Sequence, residues 1–261
     1  HGYKGLNYSV VSACASGSHA IGDAYKMIKY GDADAIIAGG SEAAISPISI
    51  AGFSNMKALT QNSDVNSACR PFDDNRDGFV MGEGAGIIVL ESLTSARERN
   101  AFIHAEIVGY GATADAHHLT QPDPDGNGAY RSMQIALNDS KIVPNKIDYI
   151  NAHGTSTIFN DKIETCAIKQ LFKDHAYNVS ISSTKSMTGH LLGGGGAFEA
   201  MASLLSMKNN QIPPTINLND SDEDCDLNYT PNHSVDKNID HVMSNSFGFG
   251  GHNAVLIFSK Q

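Results

Sequence analysis

An α/β layered fold is what this sequence predicts, and three observations carry the expectation. Short apolar runs rich in β-formers alternate with longer stretches of helical period. Hydrophobic residues make up 41% of the 261 residues and glycine occurs 25 times, a composition ordinary for a globular α/β protein with a sizeable core. No short-period repeat or low-complexity block interrupts the alternation.

Taken in order, residues 8–13 are short, apolar and β-rich and run into Cys14. Four small residues follow, then an apolar periodic stretch over 20–30 closed by Gly31. That spacing predicts strand, tight turn, helix. Residues 34–38 read as a buried strand, 60–79 as a long polar loop, and 87–90 and 101–111 as strands. The second half repeats the theme: helix 130–137, strand 149–152, helix 162–172, strand 179–182, and a helix over 197–207 broken by Pro213-Pro214. Residues 242–246 and 254–258 read as a closing hairpin around Gly248-Phe249-Gly250-Gly251.

The formal charge is 18 − 28 = −10, which argues against nucleic acid or an anionic membrane as a direct partner. No apolar run approaches the 18 or so residues of a membrane span. The four cysteines, Cys14, Cys69, Cys166 and Cys225, form no C-x-x-C pair. They are expected to be free thiols in a reducing compartment, with no structural zinc. The chain opens on His1 with no signal-peptide pattern, and is expected to start inside a longer protein.

Four segments carry chemistry. Ser12-Ala13-Cys14-Ala15-Ser16-Gly17 places a cysteine on a strand-to-helix turn, where the helix dipole favours thiolate; a lone cysteine is otherwise a buried structural residue. Asn151-Ala152-His153-Gly154-Thr155-Ser156-Thr157 ends a strand in a histidine followed by three hydroxyls, although such a histidine is commonly a hydrogen-bonded core residue. Ser183-Thr184-Lys185-Ser186-Met187-Thr188-Gly189-His190 sets two cationic candidates on one loop, before Gly193 to Gly196 and a helix carrying Glu199. The glycine run is not a phosphate loop, because the lysine precedes it, and is read as close helix packing. Asn245-Ser246-Phe247-Gly248-Phe249-Gly250-Gly251-His252-Asn253 is a glycine turn bearing two Phe: a mobile apolar flap or a plain hairpin.

In this order the four segments resemble the Cys-His-His class of β-ketoacyl-acyl-carrier-protein synthases, most of all the type II synthase of dissociated fatty-acid synthesis. The likeness extends through Tyr30-Gly31-Asp32-Ala33-Asp34, Arg70-Pro71-Phe72-Asp73, Arg76-Asp77-Gly78-Phe79 and Pro213-Pro214-Thr215-Ile216-Asn217-Leu218, and so over essentially the whole chain. It implies a thiolase-like fold, five-layered αβαβα and homodimeric, with the N-terminal third outside this chain. Residues 1–110 would be the remainder of the first half, carrying the nucleophile. Residues 111–261 would be the second half, carrying both histidines and the gate.

The resemblance assigns roles. Cys14 would take the acyl group, with the N–H groups of Cys14 and Phe249 as oxyanion hole and Phe249 as gate, supported by Phe247. His153 and His190 would stabilise the enolate of malonyl-acyl-carrier protein, and Lys185, partnered by Glu199, would organise the charge. Thr155 and Thr157 would bind the pantetheine arm, Phe53 would line the acyl pocket, and Lys57 and Arg70 would meet the acyl-carrier protein. No cofactor or metal is implied beyond that arm. The compartment would be bacterial cytoplasm or plastid stroma.

Three departures from the family pattern stand out: Ile158-Phe159-Asn160, where a small or proline-containing stretch is usual; Gly194-Gly195, where alanines are common; and His252, where a threonine is common. Ile158 and Phe159 bear on pantetheine or carrier fit. The competing readings are a polyketide ketosynthase, a non-catalytic chain-length partner subunit, which Cys14 argues against, and a cysteine hydrolase. Thiolases proper use a second cysteine in a context that Cys166 and Cys225 lack.

Overall fold

The computed structural model describes residues 2–261. In chain order the elements are α1 (Ser16–Lys29), β1 (Ala35–Glu42), α2 (Pro47–Asn55), β2 (Gly84–Glu91), α3 (Leu93–Glu98), β3 (Glu106–Ala114), α4 (Asn127–Ser140), β4 (Tyr149–Asn151), α5 (Ile158–Phe172), β5 (Ser180–Ser182), α6 (Lys185–Thr188), α7 (Gly195–Asn209), β6 (Gln211–Ile212), β7 (Val235–Asp236), β8 (His241–Gly248) and β9 (His252–Ser259).

A mixed five-stranded sheet, ordered β3-β9-β8-β4-β5, is the centre of the molecule. β8 and β9 form the expected antiparallel hairpin, Val242 opposite Phe258 and Ser246 opposite Ala254, while β4 runs parallel to both β8 and β5. Strand β9 shows why its sequence is a continuous apolar run. Ala254, Leu256 and Phe258 face one core, and Val255 and Ile257 face the other, as the two-residue period requires of a strand buried on both sides. Of these, the Val, Leu, Ile and Phe side chains each contribute about 1.5–3 kcal/mol on full burial.

One face of the sheet packs on α4 and α5, and the other on α1 and α7. Beyond α1 and α7 lies the antiparallel ribbon β1–β2. The layers therefore run β, α, β, α, and the ribbon's outer side leaves Ile37, Ile87 and Val89 exposed. Strand β3 straddles the expected division at 110 and pairs with β9 along its length, so the boundary between the two sheets falls before Glu106. The glycine run does what close packing asks of it: a Cβ on Gly196 would sit 2.3 Å from Ser18 Oγ of α1 and 2.8 Å from Ser246 Oγ of β8.

Some local expectations change. Residues 8–13 form no strand; Ser12 makes only an isolated bridge to Cys14, and a strand needs a neighbour to take its ladder hydrogen bonds. Helix α7 stops at Asn210, which adopts the left-handed conformation, before the two prolines are reached. Helix α2 was not expected, although its signals are present: Ser46 accepts from Ser49 N–H as N-cap and Pro47 opens the first turn.

Candidate active site

Cys14 sits at the apex of a strained turn. Ala13 adopts φ 50°, which costs a residue with a Cβ about 1–2 kcal/mol. The turn is held by Ala15 N–H to Ser12 O at 3.1 Å, Ser16 N–H to Ala13 O at 3.1 Å, and the Ser16 hydroxyl, which donates to Ala13 O and accepts from Ser12 N–H. Helix α1 begins two residues later. The expected thiolate is not the resting state: burial pushes the Cys14 thiol up to about 11, against the opposing pull of the Phe249 backbone N–H, Lys185 and its own N–H. Desolvation outweighs the helix end.

His153 stands two residues past the end of β4, and His190 two residues past the short helix α6. Their ligand nitrogens and Cys14 Sγ all lie within 4.8 Å of one another. The rings meet edge to face at 5.4 Å. Phe247 packs on His153 at 6.0 Å, and Phe79 on His190 at 5.2 Å. Burial first, then Lys185, holds both imidazoles well below the usual histidine range, and His190 depresses His153 further. Both are neutral at pH 7, and each has its Nδ1 engaged. Leu192 N–H donates to His190 Nδ1 at 3.2 Å. Lys185, ion-paired with Glu199, lies 3.4 Å from His153 Nδ1. A nitrogen that accepts leaves the ring proton on Nε2, so both histidines present N–H donors. Burial raises the Glu199 carboxyl to about 7 despite Lys185.

The residues that sequence reasoning missed are the acids beneath the His153 loop. Glu164 Oε1 accepts from His153 N–H (2.9 Å) and Asn245 Nδ2 (3.0 Å), and Oε2 from Gly154 N–H (2.8 Å). Asp161 accepts from Thr155, Ser156 and Phe72 N–H groups at 2.9–3.1 Å. Arg76 grips the same loop through Thr157 O and Ile158 O. The available signal was two acids three residues apart on one face of α5, just after a histidine loop.

A cavity of ≈220 Å³ runs from buried Cys14, His153 and His190 past Thr155, Thr157 and Phe249 to an exposed rim. Phe53 lines it, edge to face with Phe79 at 5.3 Å. Thr155 and Thr157 bond each other at 2.9 Å, and Thr157 also caps α5 by accepting from Asn160 N–H. Gly248 lies so close to the nucleophile turn that a Cβ there would be 3.0 Å from Cys14 N. Of the two candidate docking cations, Lys57 lines the cavity, whereas Arg70 is turned onto Asp77 at 3.3 Å with little exposure.

Cys14, His153 and His190 have a spacing at which a soft metal could be gathered. Binding one would require both imidazoles to give up the Nε2 proton and the partners at Nδ1. Behind them, Asn151 Oδ1, Ser244 Oγ and Glu199 Oε2 are buried without a hydrogen-bond partner among the described residues. Asn151 and Ser244 are register partners on β4 and β8, and Asn151 Nδ2 donates to Glu199 O at 3.4 Å. Hard oxygens of this kind suit a water or a small hard cation.

Comparison with known proteins agrees with this geometry. The family described as "Beta-ketoacyl synthase, N-terminal domain" matches residues 1–96, and "Beta-ketoacyl synthase, C-terminal domain" matches 104–219. The chain is 55% identical over 259 residues to 3-oxoacyl-[acyl-carrier-protein] synthase 2 of Staphylococcus aureus (strain COL), covering 99% of this chain and 63% of that protein. It is 55% identical over 260 residues to the protein of that name from Synechocystis sp., covering 99% and 62%. The chain thus spans somewhat less than two thirds of these relatives. Among solved structures, a β-ketoacyl synthase from Burkholderia phymatum superposes with TM-score 0.92 at 44% identity, covering 97% of this chain and 61% of that one. A ketosynthase in complex with its type II polyketide acyl-carrier protein superposes with TM-score 0.95 at 39% identity, covering 97% and 63%. The fold is thiolase-like, and a cysteine facing two imidazole N–H donors is set in it: the chain belongs to the β-ketoacyl synthase family.

Proposed function

We propose that this site carries out the decarboxylative condensation of an acyl group with malonyl-acyl-carrier protein, the elongating step of fatty-acid synthesis. The observation that carries the reading is the convergence of Cys14 with two neutral histidines, one ring nitrogen of each within 4.8 Å of its Sγ. Cys14 Sγ attacks the acyl thioester, the backbone N–H groups of Cys14 and Phe249 receive the oxyanion, and the thiol proton leaves on the departing pantetheine thiol. Malonyl thioester then enters. Loss of CO2 leaves an enolate, whose oxygen His153 and His190 hold by hydrogen bonds. Its carbon attacks the acyl carbonyl, and Cys14 leaves as thiolate and takes one proton from solvent. Lys185 orders the charge through His153 and Glu199 without touching substrate. Thr155, Thr157 and Phe53 line the route of the pantetheine arm and acyl chain, and Lys57 stands at its entrance.

The carrier protein is the partner and the chain works as a homodimer. The arm brings the substrates, and no further cofactor enters the chemistry. Support comes from the 55% identity to proteins named 3-oxoacyl-[acyl-carrier-protein] synthase 2. A polyketide ketosynthase shares the Cys-His-His set, and the ketosynthase solved with its type II polyketide carrier protein stands at 39% identity. The test is intact mass after incubation of the full-length enzyme with an acyl-carrier thioester. The wild type gains one acyl group and Cys14→Ala gains none; malonyl-carrier protein then discharges the adduct as a 3-oxoacyl product. No gain in a folded wild type refutes the mechanism and leaves a non-catalytic partner subunit as the better reading.

A further inference from the structure

The first turn of α5 carries two large apolar side chains in solvent, Ile158 at 57% and Phe159 at 59% exposure. Both line the cavity that ends at Cys14, and Met56, 45% exposed, lines it too. Exposed apolar residues scattered singly need no explanation, but a group gathered on the rim of one cavity does. The start of the helix is held by other residues: its N-cap is Thr157, and the anchoring below it belongs to Asp161 and Arg76.

Charge at the rim points the same way. The charged residues lining the cavity are Lys57, Asp77 and Asp115, one cation against two acids. Asp77 is held by Arg70, Thr60 and Gln61, and Asp115 by Asn253. The next cation along α5, Lys162, is paired with Asp224 at 2.5 Å. Among the described residues little of this rim can hold a partner by charge, and the apolar contact area they offer there is that of Ile158, Phe159 and Met56.

We infer that Ile158 and Phe159 form an apolar collar that seats the body of the acyl-carrier protein while its arm occupies the cavity. The inference rests on the condensing reading above, because an arm that reaches Cys14 through this cavity leaves its carrier against the rim. It separates two jobs: Thr155 and Thr157 meet the arm, and the collar meets the protein that bears it.

The test uses the full-length enzyme, wild type and the double variant Ile158→Ala/Phe159→Ala. Fluorescence anisotropy with labelled holo-carrier protein gives Kd, and acylation by acyl-pantetheine, which lacks the carrier body, gives KM. The double variant is expected to bind the carrier about tenfold more weakly. Its KM for acyl-pantetheine should stay within about twofold, and its unfolding midpoint should not change, since both side chains are already in water. Phe102→Ala, exposed at 74% and outside the cavity, should match wild type in every measurement. Equal carrier binding by wild type and double variant overturns the collar. So does a parallel loss with acyl-pantetheine, which would place both residues on the arm. A wild type that acylates from acyl-pantetheine yet does not bind carrier also overturns the collar while the chemistry stands; a wild type that does neither refutes the condensing reading itself.

Discussion

Cys14 stands on main chain held by short-range turn hydrogen bonds around a residue at φ 50°, whereas His153 is gripped from below by buried carboxylates. Glu164 and Asp161 between them accept five backbone N–H groups: His153, Gly154, Thr155, Ser156 and Phe72. The difference follows from what each side must do. In the proposed reaction Cys14 changes its covalent partner twice per turnover, and its turn lies against Gly248. On that proposal the donors must stay where an enolate oxygen would form, and preorganised dipoles act in proportion to how little they move. Lys185 is the link between the two sides. It depresses both histidines and also opposes the rise of the Cys14 thiol.

The largest effect that sharpens this contrast is in the pH dependence of Cys14. A thiol at about 11 is thiolate in only about one molecule in ten thousand at pH 7. Alkylation of Cys14 by iodoacetamide should therefore rise about tenfold per pH unit from 7 to 10 with no plateau, followed by peptide mass spectrometry. A plateau near pH 7 would show that the helix end governs the sulfur after all.

Next in size is Lys185→Met. It leaves Glu199 buried without its cation and should cost about 3 kcal/mol at pH 8 in denaturant unfolding. Glu199 already stands at about 7, and without Lys185 it rises further. Between its unfolded and folded values the native state binds more protons than the unfolded state, so stability falls as pH rises through that window. The penalty should thus be smaller at pH 6 than at pH 8. An equal penalty at both would mean that Glu199 does not titrate there.

The smallest effect is expected from Asp161→Asn. The amide replaces one accepting oxygen with donors that face backbone N–H groups, at a cost of about 2 kcal/mol. The loop carrying Thr155 and Ser156 should loosen while the histidines keep their tautomers. KM for carrier-bound substrate should rise more than kcat falls. A fall in kcat alone would place Asp161 among the groups that set the histidines.

How much of this was legible beforehand depended on the range of the interaction. Strand β9 and helix α5 announce themselves by period, because burial on known faces is written locally. The glycines of α7 were legible as packing. Residues 8–13 looked like a strand because their composition is right, but strand formation belongs to a pair of segments. At the site, Cys14, His153, Lys185 and His190 were found by motif, but their states were not. The dipole at Cys14 can be read from a turn, while the burial that overrides it comes from residues far off in sequence. Asp161 and Glu164 were overlooked for a related reason: acids on a helix usually face water, and only the fold turns these two inward. Arg70 is the converse, a cation that reads as surface and is folded onto Asp77.

The wiring of the two imidazoles has one more consequence. With each Nδ1 already engaged, His153 and His190 can lend their Nε2 protons to an oxyanion but have no second lone pair free to pass a proton along. The pair is a fixed clamp and not a relay. In the proposed reaction exchangeable hydrogen would therefore enter and leave at sulfur alone, and the proton that restores the Cys14 thiol would arrive through the cavity that ends at Cys14.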